Sequence, residues 1–507
     1  MRTCVALLMA LAFVGVGVTP ASGDRGKVTI VVFGEPPTMD PHVISDATGN
    51  MVWRWSYDSL LSSETGSGKV VPWLAEKWEK IGPTAFKFWL RKGVKFPDGS
   101  PLTVEAVKYS MERVLKSPVQ GPYFKSIDRM EVLDDYTFIW HTKGTDNGLP
   151  NRLVRWVYVM SPKTKGLDSA TLSRNTFGSG PYILKEWTKS QKMVFEANPT
   201  WWANDRHPNR PKTLVLRNIP EGANRVNALV TGEVDLLMGV MPHIIPTIEN
   251  NPATRAVSIP AVQIMFLGFV SRHGGPFADP KVRLAVNYAI DAETVRKTIL
   301  GGRAGLFGQL LHPWVYSGYN PEKEWHGHDL EKAKTLMKES GYPQGFKAEL
   351  ITTGDGRIPG DRAVCEAAVG MLKKIDIDIA CKPMNFALYR KTFTAYQTGK
   401  QEGAAMYYMG FGGAAGDSAN TLTALVACEG YWSGTCYPDL DAAIHEAYAT
   451  ADPKEQQLAF EKVTDIMKER ATHKVLVKLY TTFGFRKDLE IRPRHDDNVY
   501  PWEIGVK

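Results

Sequence analysis

Cysteine is scarce in this chain, with 5 residues among 507. None forms a C-x-x-C pair and no histidine stands at ligand spacing from one, which argues against a zinc site built on them. Long apolar runs are absent after the first two dozen residues, so no later segment is expected to span a membrane. No stretch concentrates Lys or Arg. The 61 basic and 54 acidic residues leave a net charge of +7, too thin over this length to call for a nucleic-acid partner. There is no internal repeat and no low-complexity tract. The devices of covalent catalysis are incomplete as well. "HEAYA" (445–449) begins like a zinc-protease motif but carries Ala449 in place of the second His. "FGSGP" (177–181) lacks the leading Gly of a nucleophile elbow. "SETGSGKVV" (63–71) puts Val70 where a P-loop needs Ser or Thr for magnesium. These absences fit a binder that performs no covalent chemistry; no enzyme activity, cofactor or resident metal is expected.

What is present starts at the N-terminus. "MRTCVALLMALAFVGVGVTPASGD" has one cation, Arg2, then an apolar stretch from Val5 to Val18, then small residues. That is the layout of a secretory signal, expected to be removed after Gly23. Removal takes Cys4 and the charge of Arg2 with it, leaving +7 − 1 = +6. Export places the remaining four cysteines in an oxidising compartment, where pairing is the default. Cys428 and Cys436 flank "EGYWSGT", whose two glycines let a short loop close, so we expect that bridge. Cys365 and Cys381 are then the leftover pair, although four cysteines allow three connectivities.

The body of the chain reads as mixed α/β. "KVTIVVFG" (27–34) is a buried strand, and "TAFKFWLRKGVKFPDGS" (84–100) an amphipathic one with Phe86, Phe88 and Leu90 on one face. Thr103 is expected to cap a helix carrying Val104, Val107, Met111 and Val114. "KTLVLRNI", "ANRVNALVTG" and "VDLLMGV" (212–240) form a strand–helix–strand unit. Helices with Asp caps are expected at Asp279 and Asp291, a further helix over 329–343 closed by Gly341 and Pro343, and another over residues 452–471. No linker separates these segments, which suggests lobes that the chain enters more than once.

Several longer stretches then fall in one order: "EPPTMDPH" (35–42), "YDSLL" (57–61), "VPWLAEKWE" (71–79), "FKFWLRKGVKFPDGSPLTVEAVKYSMERV" (86–114), "GSGPYILKEW" (178–187), "ALVTGEVDLL" (228–237), "DPKVRLAVNYAID" (279–291) and "DLEKAKTLMKESGYPQGF" (329–346). Together they resemble the large extracytoplasmic solute-binding proteins of ABC importers, the dipeptide/oligopeptide/nickel-binding family. The resemblance implies an α/β, two-lobed periplasmic-binding-protein-like fold (type II, cluster C) with an extra inserted domain. Lobe I is expected over 24–66, 183–280 and 478–507, the insert over 67–182, and lobe II over 281–477. It further implies a periplasmic monomer that closes around a small-molecule or peptide ligand and docks on an ABC permease at the inner membrane. A sensor or chaperone on the same fold, or a secreted hydrolase, would be the alternatives.

Residues 404–428 raise a separate question. Gly410, Gly412 and Ala415 match the loose dinucleotide pattern G-x-G-x-x-A. A Rossmann unit needs an acid ending a second strand about 20 residues on, whereas this chain runs into "CEGYWSGTCYPD". The resemblance instead makes this strand end a ligand-contact segment: Phe411, Gly412, Gly413, Ala414 and Asp417. Aligned without gaps, Ala414 stands where peptide-binding members place an Asp for the α-ammonium. Either Asp417 serves instead or the ligand has no free α-amino group. Ser45 and Asp46 sit where the family contacts ligand backbone, or else Asp46 or Thr48 caps a helix. Arg362, near the family's carboxylate position, reads as a bidentate clamp or as a surface helix residue. Trp314, Trp53 and Trp55 stack on ligand or pack in the core. His312, His326 and His328 offer too few convergent ligands for nickel.

Overall fold

The computed structural model describes residues 26–506 apart from 33, 45, 220, 312–317, 326, 355–357 and 413–417; of the side chains at 47, 243 and 418–420 nothing is said. The expected signal segment lies outside these residues.

Strand β1 (Lys27–Val31) is buried over its last four positions. Helix α1 (Ala47–Ser56) follows, with Asp46 as its N-cap: the carboxylate accepts the Gly49 N–H at 2.7 Å. Trp53 and Trp55 are both fully buried on this helix. Their indole N–H groups donate to the Thr38 and Val499 carbonyls, so they pack and do not stack on ligand. Next comes a four-stranded antiparallel sheet, β2 (Ala75–Gly82), β3 (Ala85–Leu90), β4 (Ile127–Asp134) and β5 (Thr137–Thr142), ordered β2-β3-β5-β4. In β3, Phe86, Phe88 and Leu90 alternate inward as expected and meet α2 (Val104–Lys116), whose Val104, Val107, Met111 and Val114 cover that face. Thr103 holds the N-cap position of α2, but its hydroxyl makes no capping bond. Helix α3 (Leu149–Arg155) ends this segment, which has its own hydrophobic core.

The large sheet takes up β1 again with β6 (Tyr182–Thr188), β7 (Lys192–Ala197), β8 (Thr213–Arg217), β9 (Leu236–Met238) and the long β10 (Thr254–Val270). Beyond it lie α4 (Pro280–Ala289), β11 (Ala304–Leu306), β12 (Phe346–Thr353), α5 (Asp361–Leu372), β13 (Ile377–Met384), α6 (Phe386–Gln397), β14 (Ala405–Gly412), α7 (Pro438–Ala449), α8 (Pro453–Glu469) and β15 (His473–Arg486). The strand order is β13-β12-β14-β10-β15-β9-β1-β8-β7-β6, with β11 beside β15. Asp279, Asp291, Asp329 and Asp452 each cap a helix with the carboxylate, as the sequence suggests for the first two. Leu350, Met406 and Tyr408 point to one face of this sheet, and Ile351, Tyr407 and Met409 to the other. Both faces are therefore apolar here, the state expected around the parallel strands β13-β12-β14.

The molecule is two-lobed because β10 and β15 are long enough to belong to both halves. Residues 254–260 of β10 pair with 480–486 of β15, and 264–268 with 473–478; the register breaks between Pro260 and Ile264. Proline cannot donate a ladder hydrogen bond, so a break at this point is the expected consequence. Both cysteine pairs form: Cys365–Cys381 ties α5 to β13, and Cys428–Cys436 closes its loop.

Candidate interlobe site

The carboxyl ends of parallel strands are where α/β sheets bind ligands, since the connecting loops diverge there and leave a crevice. In this chain two such sets of ends face the same ribbon. On one side β1 runs parallel to β8 and β9. β9 ends opposite Phe483, and the Gly239 and Val240 N–H groups both donate to the Thr482 carbonyl. On the other side β12 runs parallel to β13 and β14. β14 ends at Gly412, opposite Gln263 and next to the register break.

Phe411 and Gly412 are thus at the strand end and half-exposed, where the sequence reading puts them. At Gly410 just before them an added Cβ would sit 2.8 Å from the Met265 Sδ and 3.0 Å from the Gln263 Nε2, so those two side chains would have to shift to admit one. Arg362 is exposed on the first turn of α5, and its Nε donates to the Gly354 carbonyl at 3.2 Å, just past the end of β12. It shares the strand-end edge with Phe411 and Gly412, with its side chain folded back on the backbone. Asp46 acts as a helix cap, one of the two roles the sequence allowed. Ser45, Gly413, Ala414, Asp417 and Trp314 lie outside the described residues, as do His312 and His326. His328 Nδ1 is 2.9 Å from the Tyr288 carbonyl. Among the described residues no group of three or more His, Cys, Asp or Glu is placed to hold a metal, and no helix is long and apolar enough to cross a membrane.

A second set of residues at the ribbon crossing escaped the sequence reading. The His495 carbonyl accepts the Val262 N–H at 2.9 Å, which pins the segment 494–500 to the register break. Arg494 is buried there, donating to Ser63, Thr65 and Asp496, with its guanidinium 3.6 Å from the Tyr500 ring centroid. Burial alone would raise the Asp496 carboxyl, but Arg494 holds it well below the usual carboxylate range. Asp497 differs. Burial pushes its carboxyl up to about 6; the Thr481 hydroxyl that donates to it and the Arg155 charge oppose the rise, and Asp496 adds to it. Its backbone is left-handed, at φ 55°. Nothing in the string "RPRHDDN" distinguishes these groups from solvated surface, because the segments that bury them are distant in sequence.

The two walls also touch. The Asn147 amide donates to the carbonyls of Thr450 (3.1 Å) and Ala451 (3.2 Å) and to the Gln456 Oε1 (3.2 Å). Lys80 bonds Asn147 and reaches the Ala451 carbonyl at 3.2 Å. Nearby, Tyr123 stacks on Trp156 with centroids 5.3 Å apart. The disulfide loop brings Tyr431 close to it: burial pushes the Tyr431 phenol up to about 12, and Tyr123 adds to the rise.

The profile of bacterial extracellular solute-binding proteins, family 5 Middle, matches residues 69–433. The chain is 24% identical, over an alignment of 513 residues and 94% of each chain, to the dipeptide-binding protein of Escherichia coli (strain K12). It is 24% identical over 470 residues to heme-binding protein A of Haemophilus influenzae, covering 86% of this chain and 84% of that protein. The fold superposes with a TM-score of 0.78 and 23% identity on the ABC transporter-associated periplasmic binding protein DppA from Helicobacter pylori in complex with peptide STSA, over 95% of this chain and 98% of that one.

Proposed function

Since this chain belongs to the bacterial extracellular solute-binding proteins of family 5, we propose that it is the periplasmic capture subunit of an ABC importer and that its solute is a peptide or peptide-like compound. The observation that carries this reading is the opposition of two sets of parallel-strand ends across one ribbon, with a register break at the crossing. A ligand bridging the two sets stabilises only the arrangement in which both are close, so binding shifts the population toward closure. Two strands with an interrupted ladder make an inexpensive hinge, because few residues absorb the rotation. We place the hinge between Pro260 and Ile264 on β10 and beside Lys478 on β15, the insert at 67–182, and lobe II on the side of β12–β14.

The names of the relatives support the solute class: a dipeptide-binding protein and glutathione-binding proteins stand beside a heme-binding protein. Phe411, Gly412, Gly413, Ala414, Asp417 and Arg362 are the lobe II contacts of this proposal, with Ser45 and Trp314 completing the cleft. Capture without turnover, export through the inner membrane and action as a monomer belong to the same reading. Micromolar affinity requires about 8 kcal/mol net, within reach of several hydrogen bonds in a water-excluded cleft. Native mass spectrometry of protein purified from the periplasm without refolding tests it. A stoichiometric small organic adduct that dissociates on gentle activation is expected; a bare chain that stays bare after incubation with a peptide pool would overturn the peptide assignment.

A further inference from the structure

The insert has a hollow of its own, which shares no residue with the interlobe cleft. An open cavity of about 330 Å³ lies at the C-terminal end of α2, bounded by the one-turn helix Gly121–Phe124, the start of β4 and the residue after β5. That volume is at the small end of ligand pockets. Its floor is apolar: Phe124 and Ile127 are buried beneath it, and Leu115, Pro118 and Pro122 form the rim.

Two cations line the same hollow. Lys125 precedes β4 and Lys143 follows β5, and a bond from the Lys143 N–H to the Ser126 carbonyl at 2.8 Å holds their backbones side by side. Among the described residues neither ammonium group makes an ion pair or a hydrogen bond. The acids nearest in sequence are engaged: Asp128 pairs with Arg129 at 3.3 Å, and Asp146 with Arg152 and the Ser126 hydroxyl. Like charges on neighbouring strands repel. An anion between them removes that cost, and an apolar tail on the anion covers the floor.

The wall of the hollow also belongs to the contact between the lobes. From the turn Gly121–Phe124, Phe124 faces the floor, while Tyr123 stacks on Trp156 and meets Tyr431 of lobe II. Just before the turn Gln120 is buried and donates to the Pro41 and Ile44 carbonyls at 2.6 and 2.9 Å, at the entry to α1. Gly121 is seated on the end of α2, where an added Cβ would sit 2.7 Å from the Leu115 carbonyl oxygen. One turn of helix thus joins the hollow to both walls of the cleft.

We propose that this hollow is a second binding site, for a small carboxylate with an apolar tail, and that its occupation steadies the turn carrying Tyr123 and so slows opening. The site stands apart from the capture reading above; only its effect on opening rests on that reading.

Octanoate and octanol, titrated calorimetrically into the ligand-stripped protein, test the site. Octanoate should bind roughly 3–30-fold tighter than octanol, the range of two partly exposed ion pairs. Lys125→Gln combined with Lys143→Gln should erase that preference and leave octanol unchanged. Leu115 is 42% exposed, so Leu115→Trp should fill the hollow and abolish binding of both probes at an unchanged melting temperature; if that variant melts early, the lysine pair decides. Equal binding of the two probes, no binding of either, or a preference that survives the loss of both lysines overturns the site. Stopped-flow release of bound solute reads the coupling: saturating octanoate should slow it at least twofold in the parent and not in Leu115→Trp. An unchanged rate in the parent overturns the coupling and leaves the site. A protein that binds octanoate as stated but can be loaded with no solute keeps the site and loses the capture reading.

Discussion

Replacing Asp497 by asparagine should stabilise the protein at neutral pH and flatten its stability between pH 4 and pH 6. The carboxyl titrates near 6 in the folded chain against 3.8 for the ordinary group, chiefly because burial disfavours its charge. Between those values the folded state keeps a proton that the unfolded state has released. It binds more protons, so stability falls as pH rises through the window, and the full cost is present above it. A gap of about 2 pH units corresponds to about 3 kcal/mol. Asp497 is partly open to solvent, and discounting for screening leaves about 1–2 kcal/mol. Asparagine keeps an acceptor for the Thr481 hydroxyl and tolerates the left-handed backbone at φ 55°. Urea unfolding followed by tryptophan fluorescence at several pH values gives the comparison. The variant should match the parent near pH 4 and exceed it by that amount at pH 7. A variant less stable than the parent at pH 7, or a difference that does not change with pH, would refute the reasoning; it would mean that attraction to Arg155 outweighs burial.

Other consequences are open to measurement. Asn147→Ala removes three contacts to residues 450–456, each worth about 0.5–1.5 kcal/mol net; stopped-flow release of bound solute should accelerate about tenfold or more, and an unchanged rate would count against those contacts as closure contacts. Asp46→Ala should cost about 1 kcal/mol of stability through the lost cap while leaving solute affinity intact; an affinity loss with normal melting would make Asp46 a ligand contact. Changing Cys428 and Cys436 to serine opens a loop with a sequence separation of 8, so unfolding should become easier by about 2–3 kcal/mol on the loop-entropy account; a coincident melting curve would contradict it.

Local chemistry made much of the fold legible. Asp279 and Asp291 cap their helices because a carboxylate satisfies first-turn N–H groups wherever it falls in the chain. Alternation in β3 placed Phe86, Phe88 and Leu90 inside because the pleat alone dictates it. The two cysteine pairs were likewise within reach, one closing an eight-residue separation and the other left by elimination. What escaped depends on tertiary neighbours. Pro260 interrupts the pattern in the middle of β10, hiding a strand that spans both halves. Trp53 and Trp55 suited either a ligand or a core until Thr38 and Val499 supplied their acceptors. Arg155, Asp496 and Asp497 resemble surface charges in sequence, and burial comes to them from α1, β15 and the C-terminal segment together. Of the cleft residues expected from sequence, the structure brings Phe411, Gly412 and Arg362 to one strand-end edge.

Small-angle scattering tests capture by closure most directly. The protein is stripped of its solute, measured, reloaded with the solute it carries out of the periplasm, and measured again. The account predicts a smaller radius of gyration in the loaded state, and a loss of that contraction when residues 260–264 are locked by an engineered crosslink to β15. Identical scattering curves with and without saturating solute would contradict it.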